Sequence, residues 1–115
     1  MSLRLALDFP QLFTYHNIKT ESGINKIFDN LLPIKHYISG VHLWGKTSTN
    51  GRKIAHCGTL DTFFENEKLK NLFLERFYEL FDDDISRYLV LEVNSSNQDL
   101  ECIVQDLLNI GCKFI

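Results

Sequence analysis

Val41-His42-Leu43-Trp44-Gly45 and, after a polar stretch, Ala55-His56-Cys57-Gly58-Thr59-Leu60 decide how this chain reads. A short apolar run ends in a histidine and a glycine-containing loop. A second histidine then sits in a turn of small residues. That pattern suits a metal or substrate site at the end of a buried strand. The plainer alternative is that both histidines and Trp44 are packed groups that anchor a loop. The segments on either side bear on the choice.

Upstream, Leu3 to Leu7 is another short apolar run, broken only by Arg4 and closed by Asp8-Phe9-Pro10. So short a run leaves no room for a helical period. It reads as a buried parallel strand with Asp8 at or just past its C-terminal end. Pro10 stops the strand, and Gln11 to Glu21 reads as a loop carrying Gln11, Tyr15 and His16. Ile24, Ile27, Phe28, Leu31 and Leu32 then share one helical face, which predicts a helix from about Ser22 capped by Thr20 or Ser22. Pro33 ends or kinks it, with Ile34, Tyr37 and Ile38 extending its apolar side. Gly40 precedes the second strand, Val41 to Trp44, and Gly45 to Arg52 reads as a mobile polar loop beside His42.

Downstream, Leu69, Leu72, Phe73, Phe77 and Leu80 form the stripe of a helix over about Glu67 to Phe81, with Asn66 as its cap. Asp82-Asp83-Asp84 reads as a solvated turn. Tyr88 to Val93 is a third strand, rich in β-formers, and Glu92 interrupts it near its end. Ser96 and Asp99 resemble a capping box ahead of a last helix, whose apolar face is Leu100, Ile103, Val104, Leu107 and Leu108. Gly111 is that helix's stop. Strand, helix, strand, helix, strand, helix predicts an α/β fold: one domain over residues 1–115, with three βα units and a parallel sheet.

The length of 115 residues suits one domain, and 44% hydrophobic with 23% charged residues marks a globular chain. A net charge of −3 gives nucleic-acid binding no support. Cys57, Cys102 and Cys112 form no C-x-x-C pair and are odd in number, so they read as reduced thiols of a cytoplasmic protein. No apolar run approaches the ~18 residues of a membrane span. Met1-Ser2-Leu3 runs straight into the first strand, as an added start on a piece of a longer protein would.

In a parallel α/β fold the C-terminal ends of the strands share one face, where sites are built. Asp8, His42 and Glu92 each end a strand, and His56 follows the second. One nitrogen and two carboxylates suit Zn²⁺, Mn²⁺ or Fe²⁺. Glu92 within an apolar strand is costly unless paired or coordinated, and no partner stands near it in sequence. The competing reading has Asp8 capping a helix, Glu92 pairing with an arginine, and the histidines packing.

Asp8-Phe9-Pro10-Gln11-Leu12-Phe13, Val41-His42-Leu43-Trp44-Gly45, Ala55-His56-Cys57-Gly58 and Leu91-Glu92-Val93 resemble, in their order, the later half of xylose-isomerase-like TIM barrels. That group holds sugar-phosphate isomerases and epimerases and the endonuclease IV group of apurinic endonucleases. The resemblance implies a divalent metal (Mn, Zn or Mg) on Asp8, His42 and Glu92. It also implies a sugar or sugar phosphate as substrate, contacted by Arg52 and His56, with Glu92 or a residue of the missing half as catalytic base. In the endonuclease branch His56 would itself be a ligand. Three departures matter. The family's further Glu ligand, on an earlier strand, has no counterpart here. Gln11 and Ile54 stand where the endonuclease branch has a His and an Asp. The isomerase or epimerase branch therefore fits better than a phosphodiesterase. A non-catalytic interaction module is the third option, since the metal could be absent from this chain alone. A full barrel needs ~250 residues. The partial barrel is therefore expected to expose some of Leu5, Leu7, Val41, Leu43, Leu89 and Leu91 toward the missing strands, and to pair with a second copy or a complementary half-barrel.

Overall fold

A computed structural model describes residues 5–13, 16–43, 46–49, 52–55, 59–93 and 96–113, without the side chains of 46–49, 52–55 and 62. The three apolar runs form strands β1 (Leu5–Asp8), β2 (Ile38–Leu43) and β5 (Tyr88–Leu91). They make one parallel sheet in the order β1-β2-β5. These strands follow one another across the sheet in chain order, so both crossovers step the same way. Right-handed crossovers then place the intervening helices on one side of the sheet.

Burial agrees with that topology. Leu7, Val41, Leu43, Leu89 and Leu91 join one hydrophobic core with helices α2 (Glu21–Leu31), α3 (Glu67–Phe81) and α4 (Asn97–Asn109). Side chains alternate along a strand, so Ala6, Asp8, Gly40, His42, Tyr88 and Val90 line the opposite face. This corrects the expectation for the leucines: those of the three strands turn toward the helices, except that Leu5, at the sheet margin, is partly exposed. Among the described residues, the face opposite the helices carries small and polar groups, with Tyr88 (81% exposed) and Val90 as its larger apolar members.

A one-residue irregularity sets the phase of the central strand. Leu5 pairs with Ile38 but Ala6 pairs with Gly40, so β2 carries one extra residue, Ser39, against β1. Ser39 Oγ donates to the Leu5 carbonyl at 3.4 Å. With that bulge Ile38 and Val41, three residues apart, both enter the core, and His42 is turned to the open face.

Phenylalanines fill the space between sheet and helices. Phe9, fully buried, packs its ring against Phe28, Phe73, Phe77 and Phe81 at centroid distances of 5.4–6.3 Å. Phe9 reaches there because residues after Asp8 form a short helix, α1 (Phe9–Leu12), capped by the Asp8 carboxylate. The segment from Gln11 is therefore not loop from its start. Four residues are too few to show a helical period, and Pro10 suits a first helical turn as well as it ends a strand. The other helix ends follow local chemistry. Thr20, Asn66 and Ser96 cap α2, α3 and α4 through their side-chain oxygens. Gly111 closes α4 at φ +107°, with Gly111 N–H on the Leu108 carbonyl and Cys112 N–H on that of Leu107.

Two further segments differ from expectation. Leu32–Tyr37 is a 3₁₀ helix, after which β2 begins at Ile38, before Gly40. Lys46–Thr49 (β3) and Arg52–Ala55 (β4) form an antiparallel hairpin rather than an irregular loop, with Thr49 opposite Arg52. Asn50-Gly51 between them is the strongest two-residue hairpin signal a sequence carries.

Two buried cations tie elements together. Arg87, its side chain 7% exposed, donates to both carboxylate oxygens of Asp83 and to the carbonyls of Ile38 and Lys35, and lies over the Phe81 ring. Asp83 is thus not a solvated turn residue, and the Arg87 guanidinium lowers its pKa to about 2. Lys70 on α3 (8% exposed) bridges Asp61 at 2.6 Å, in the 3₁₀ helix Leu60–Phe63, and Asp106 on α4 at 3.0 Å. Burial alone would lower its pKa, but the two carboxylates raise it above the ordinary lysine value. Among the described residues Cys102 and Cys112 are free thiols, and no helix is long and apolar enough to cross a membrane.

Candidate metal centre

Parallel pairing brings the strand-end groups together. Asp8, last in β1, lies opposite His42 of β2, and His42 lies opposite Val90 of β5. Glu92 follows β5 directly, and its N–H donates to the Leu43 carbonyl at 3.0 Å, carrying the ladder one residue further. All three side chains thus leave the same end and the same face of the sheet. One donor atom from each of Asp8, His42 and Glu92 lies within 4.8 Å of the other two.

Each position has a local reason. Asp8 Oδ1 accepts the Gln11 N–H at 3.2 Å, so the turn into α1 fixes the carboxylate, and a helix N-terminus favours its negative charge. His42 is held by the bulge and by the burial of its neighbours Val41 and Leu43. Glu92 meets His42 directly: Nδ1 and Oε1 are 2.5 Å apart, with the two side chains 33% and 36% exposed. The expectation that Glu92 is buried is therefore corrected, while the partner seen here stands far from it in sequence. It is partly solvated, and His42 is a partner.

The donor chemistry fits a small divalent cation. A spread of 4.8 Å is slightly wider than the ~4.2 Å between opposite ligands of such an ion. The 2.5 Å contact is a hydrogen bond, shorter than two ligands of one ion approach each other, so His42 Nδ1 and Glu92 Oε1 do not both bind a cation in this arrangement. The description does not extend to the remaining candidates. His56 lies outside the described residues. Arg52 opens β4, and its side chain is outside the description. Sequence reasoning overlooked the floor beside the site, Ala6, Gly40, Tyr88 and Val90. Its signal was the even-numbered set in each strand, which becomes readable only once the bulge fixes the phase. A Cβ built on Gly40 would touch Tyr88 and Ala6 at ordinary contact distance, 3.7–4.0 Å, which places these three side by side.

Comparison with family models, with curated proteins and with solved structures gave no match.

Proposed function

We propose that the chain is the later part of a divalent-metal-dependent sugar or sugar-phosphate isomerase or epimerase of TIM-barrel type, with the cation held at the Asp8, His42 and Glu92 group. The supporting observation is the convergence of these three side chains at the C-terminal ends of neighbouring parallel strands, on the face away from the helices. Strand order and one-sided helices are those of consecutive barrel units. A bound divalent cation would polarise the carbonyl and hydroxyl oxygens of a sugar. Asp8 and His42 present their donors from positions fixed by the α1 cap and the β2 bulge. The floor of Ala6, Gly40, Tyr88 and Val90 gives the substrate a shelf beside them. Arg52 and His56 are retained as proposed substrate contacts from the family resemblance. Among the described residues β1 and β5 each have a strand neighbour on one side only. A second copy or a complementary half-barrel is accordingly part of the proposal.

The test is calorimetric titration of the chain with Mn²⁺ and with Zn²⁺. Saturable binding near one ion per chain is expected, weakened at least tenfold by Asp8→Asn and by His42→Ala. Absence of binding to the folded wild-type chain would leave the His42–Glu92 contact as a structural pin between β2 and β5, and the isomerase reading would fall.

A further inference from the structure

Glu92 has three roles open to it at this site: cation ligand, catalytic base, or support for His42. The geometry points to the third. We propose that Glu92 is a positioning residue that accepts the Nδ1–H of His42, and thereby presents His42 Nε2 as the bare nitrogen that meets the cation. The inference rests on the metal-centre reading for its cation and on the structure alone for the histidine.

An imidazole has one N–H and one lone pair when neutral. A carboxylate can only accept, so a 2.5 Å contact between Nδ1 and Glu92 Oε1 puts the hydrogen on Nδ1. Nε2 is then the nitrogen with a lone pair. The two ring nitrogens point away from each other, so a cation on Nε2 cannot also rest on the carboxylate that holds Nδ1. Glu92 is placed for that work and is itself held. Its N–H is fixed to the Leu43 carbonyl, one residue beyond His42, so the two backbones are locked in register where the side chains meet. A carboxylate behind a metal-binding histidine fixes the ring's tautomer and direction and makes the free nitrogen more basic. The consequence for chemistry is that Glu92 is not spare to act as base. On this reading Asp8 and His42 Nε2 are the groups that would meet the cation.

Long-range ¹H–¹⁵N correlation on the full chain, with His42 assigned by a His42→Ala variant, reads this directly. In the wild-type protein without metal, at a pH alkaline enough for the ring to be neutral, Nδ1 is expected to carry the proton and Nε2 to be bare. Added Zn²⁺ should shift Nε2 and leave Nδ1 protonated. Glu92→Gln keeps a carbonyl to accept Nδ1–H. It should preserve the tautomer and hold Zn²⁺ affinity within about tenfold, while Glu92→Ala should lose the tautomer bias and about 10- to 100-fold in affinity. Far-ultraviolet circular dichroism confirms that each variant is folded. The proposal is overturned if Nδ1 is bare in the metal-free protein, or if Zn²⁺ shifts Nδ1. It is equally overturned if Glu92→Gln abolishes binding as fully as His42→Ala; in those last two cases the metal centre stands and Glu92 is a ligand. Failure of the wild-type chain to bind Zn²⁺ removes the metal centre instead, and the metal-free tautomer still decides what Glu92 does.

Discussion

Asp83 shows how much one side chain decides here. Its carboxylate takes two hydrogen bonds from Arg87 at 2.8 and 3.0 Å and one from the Ile85 N–H, with Lys35 3.5 Å away. The guanidinium bond lowers its pKa from 3.8 to about 2. A carboxyl whose pKa is lower folded than unfolded adds stability that is complete above the unfolded value. That stability is lost as pH falls through the folded one. The window is therefore pH 4 down to 2, and the shift corresponds to about 2 kcal/mol. Asp83→Asn should be less stable than wild type by about 2 kcal/mol in urea unfolding at pH 7, and the gap should close toward pH 2. A gap that stays constant across that range would mean that the pair contributes packing and not charge. At this scale the sequence was partly legible. The convergence of Asp8, His42 and Glu92 was legible in their types and order, because strand-end polar groups in parallel sheets converge. That Glu92 pairs with His42, or Asp83 with Arg87, was not legible, because each pairing depends on backbone geometry that composition does not encode.

Among the elements, α2 offers a test in which two effects have opposite signs. Gly23 lies in its first turn, where its N–H donates to the capping Thr20 Oγ1 at 3.1 Å. Helix propensity alone favours alanine there by about 1 kcal/mol. A Cβ at this position, however, would fall 1.6 Å from the Asn17 carbonyl oxygen, a contact that only movement of the 17–20 turn can relieve. Sterics should win. Gly23→Ala is expected to lower the thermal midpoint by several degrees, in line with a loss of about 1–2 kcal/mol. An unchanged or raised midpoint would show that the turn gives way freely. The caps at Thr20, Asn66 and Ser96 and the stop at Gly111 were readable because capping is chemistry within a few residues. The β3–β4 hairpin is hidden from hydropathy because its residues are polar, and Asn50-Gly51 is its stronger sequence signal. The start of β2 was misplaced by Gly40, since glycine in a strand marks a close approach as often as an end.

For the whole molecule, the question is what meets the open face and the two outer strands. Because the strand leucines are turned into the core, a broad bare apolar surface is not what would drive association. The sheet margins β1 and β5 remain, with Leu5, Tyr88 and Val90 partly or largely exposed along them. Light scattering coupled to size exclusion at micromolar concentration is expected to show an assembly larger than one chain, and Tyr88→Lys should disperse it. A monodisperse wild-type monomer would show a self-sufficient open-faced domain, and the partial-barrel reading would have to go. The α/β class was legible in the alternation of apolar runs. The face each run presents was not, because it turns on Ser39. In a regular strand, sliding along its neighbour by two residues returns every side chain to its own face, so such errors are cheap and hard to reject. The extra residue in β2 removes that degeneracy. Displaced by two, the strand would carry its irregularity away from the Leu5–Ala6 step, and Ile38 and Val41 could no longer both be buried. Ser39 therefore works as an alignment mark, admitting a single setting of the central strand and with it a single height for His42 above the sheet. Deleting it should scramble the site while sparing most of the helices.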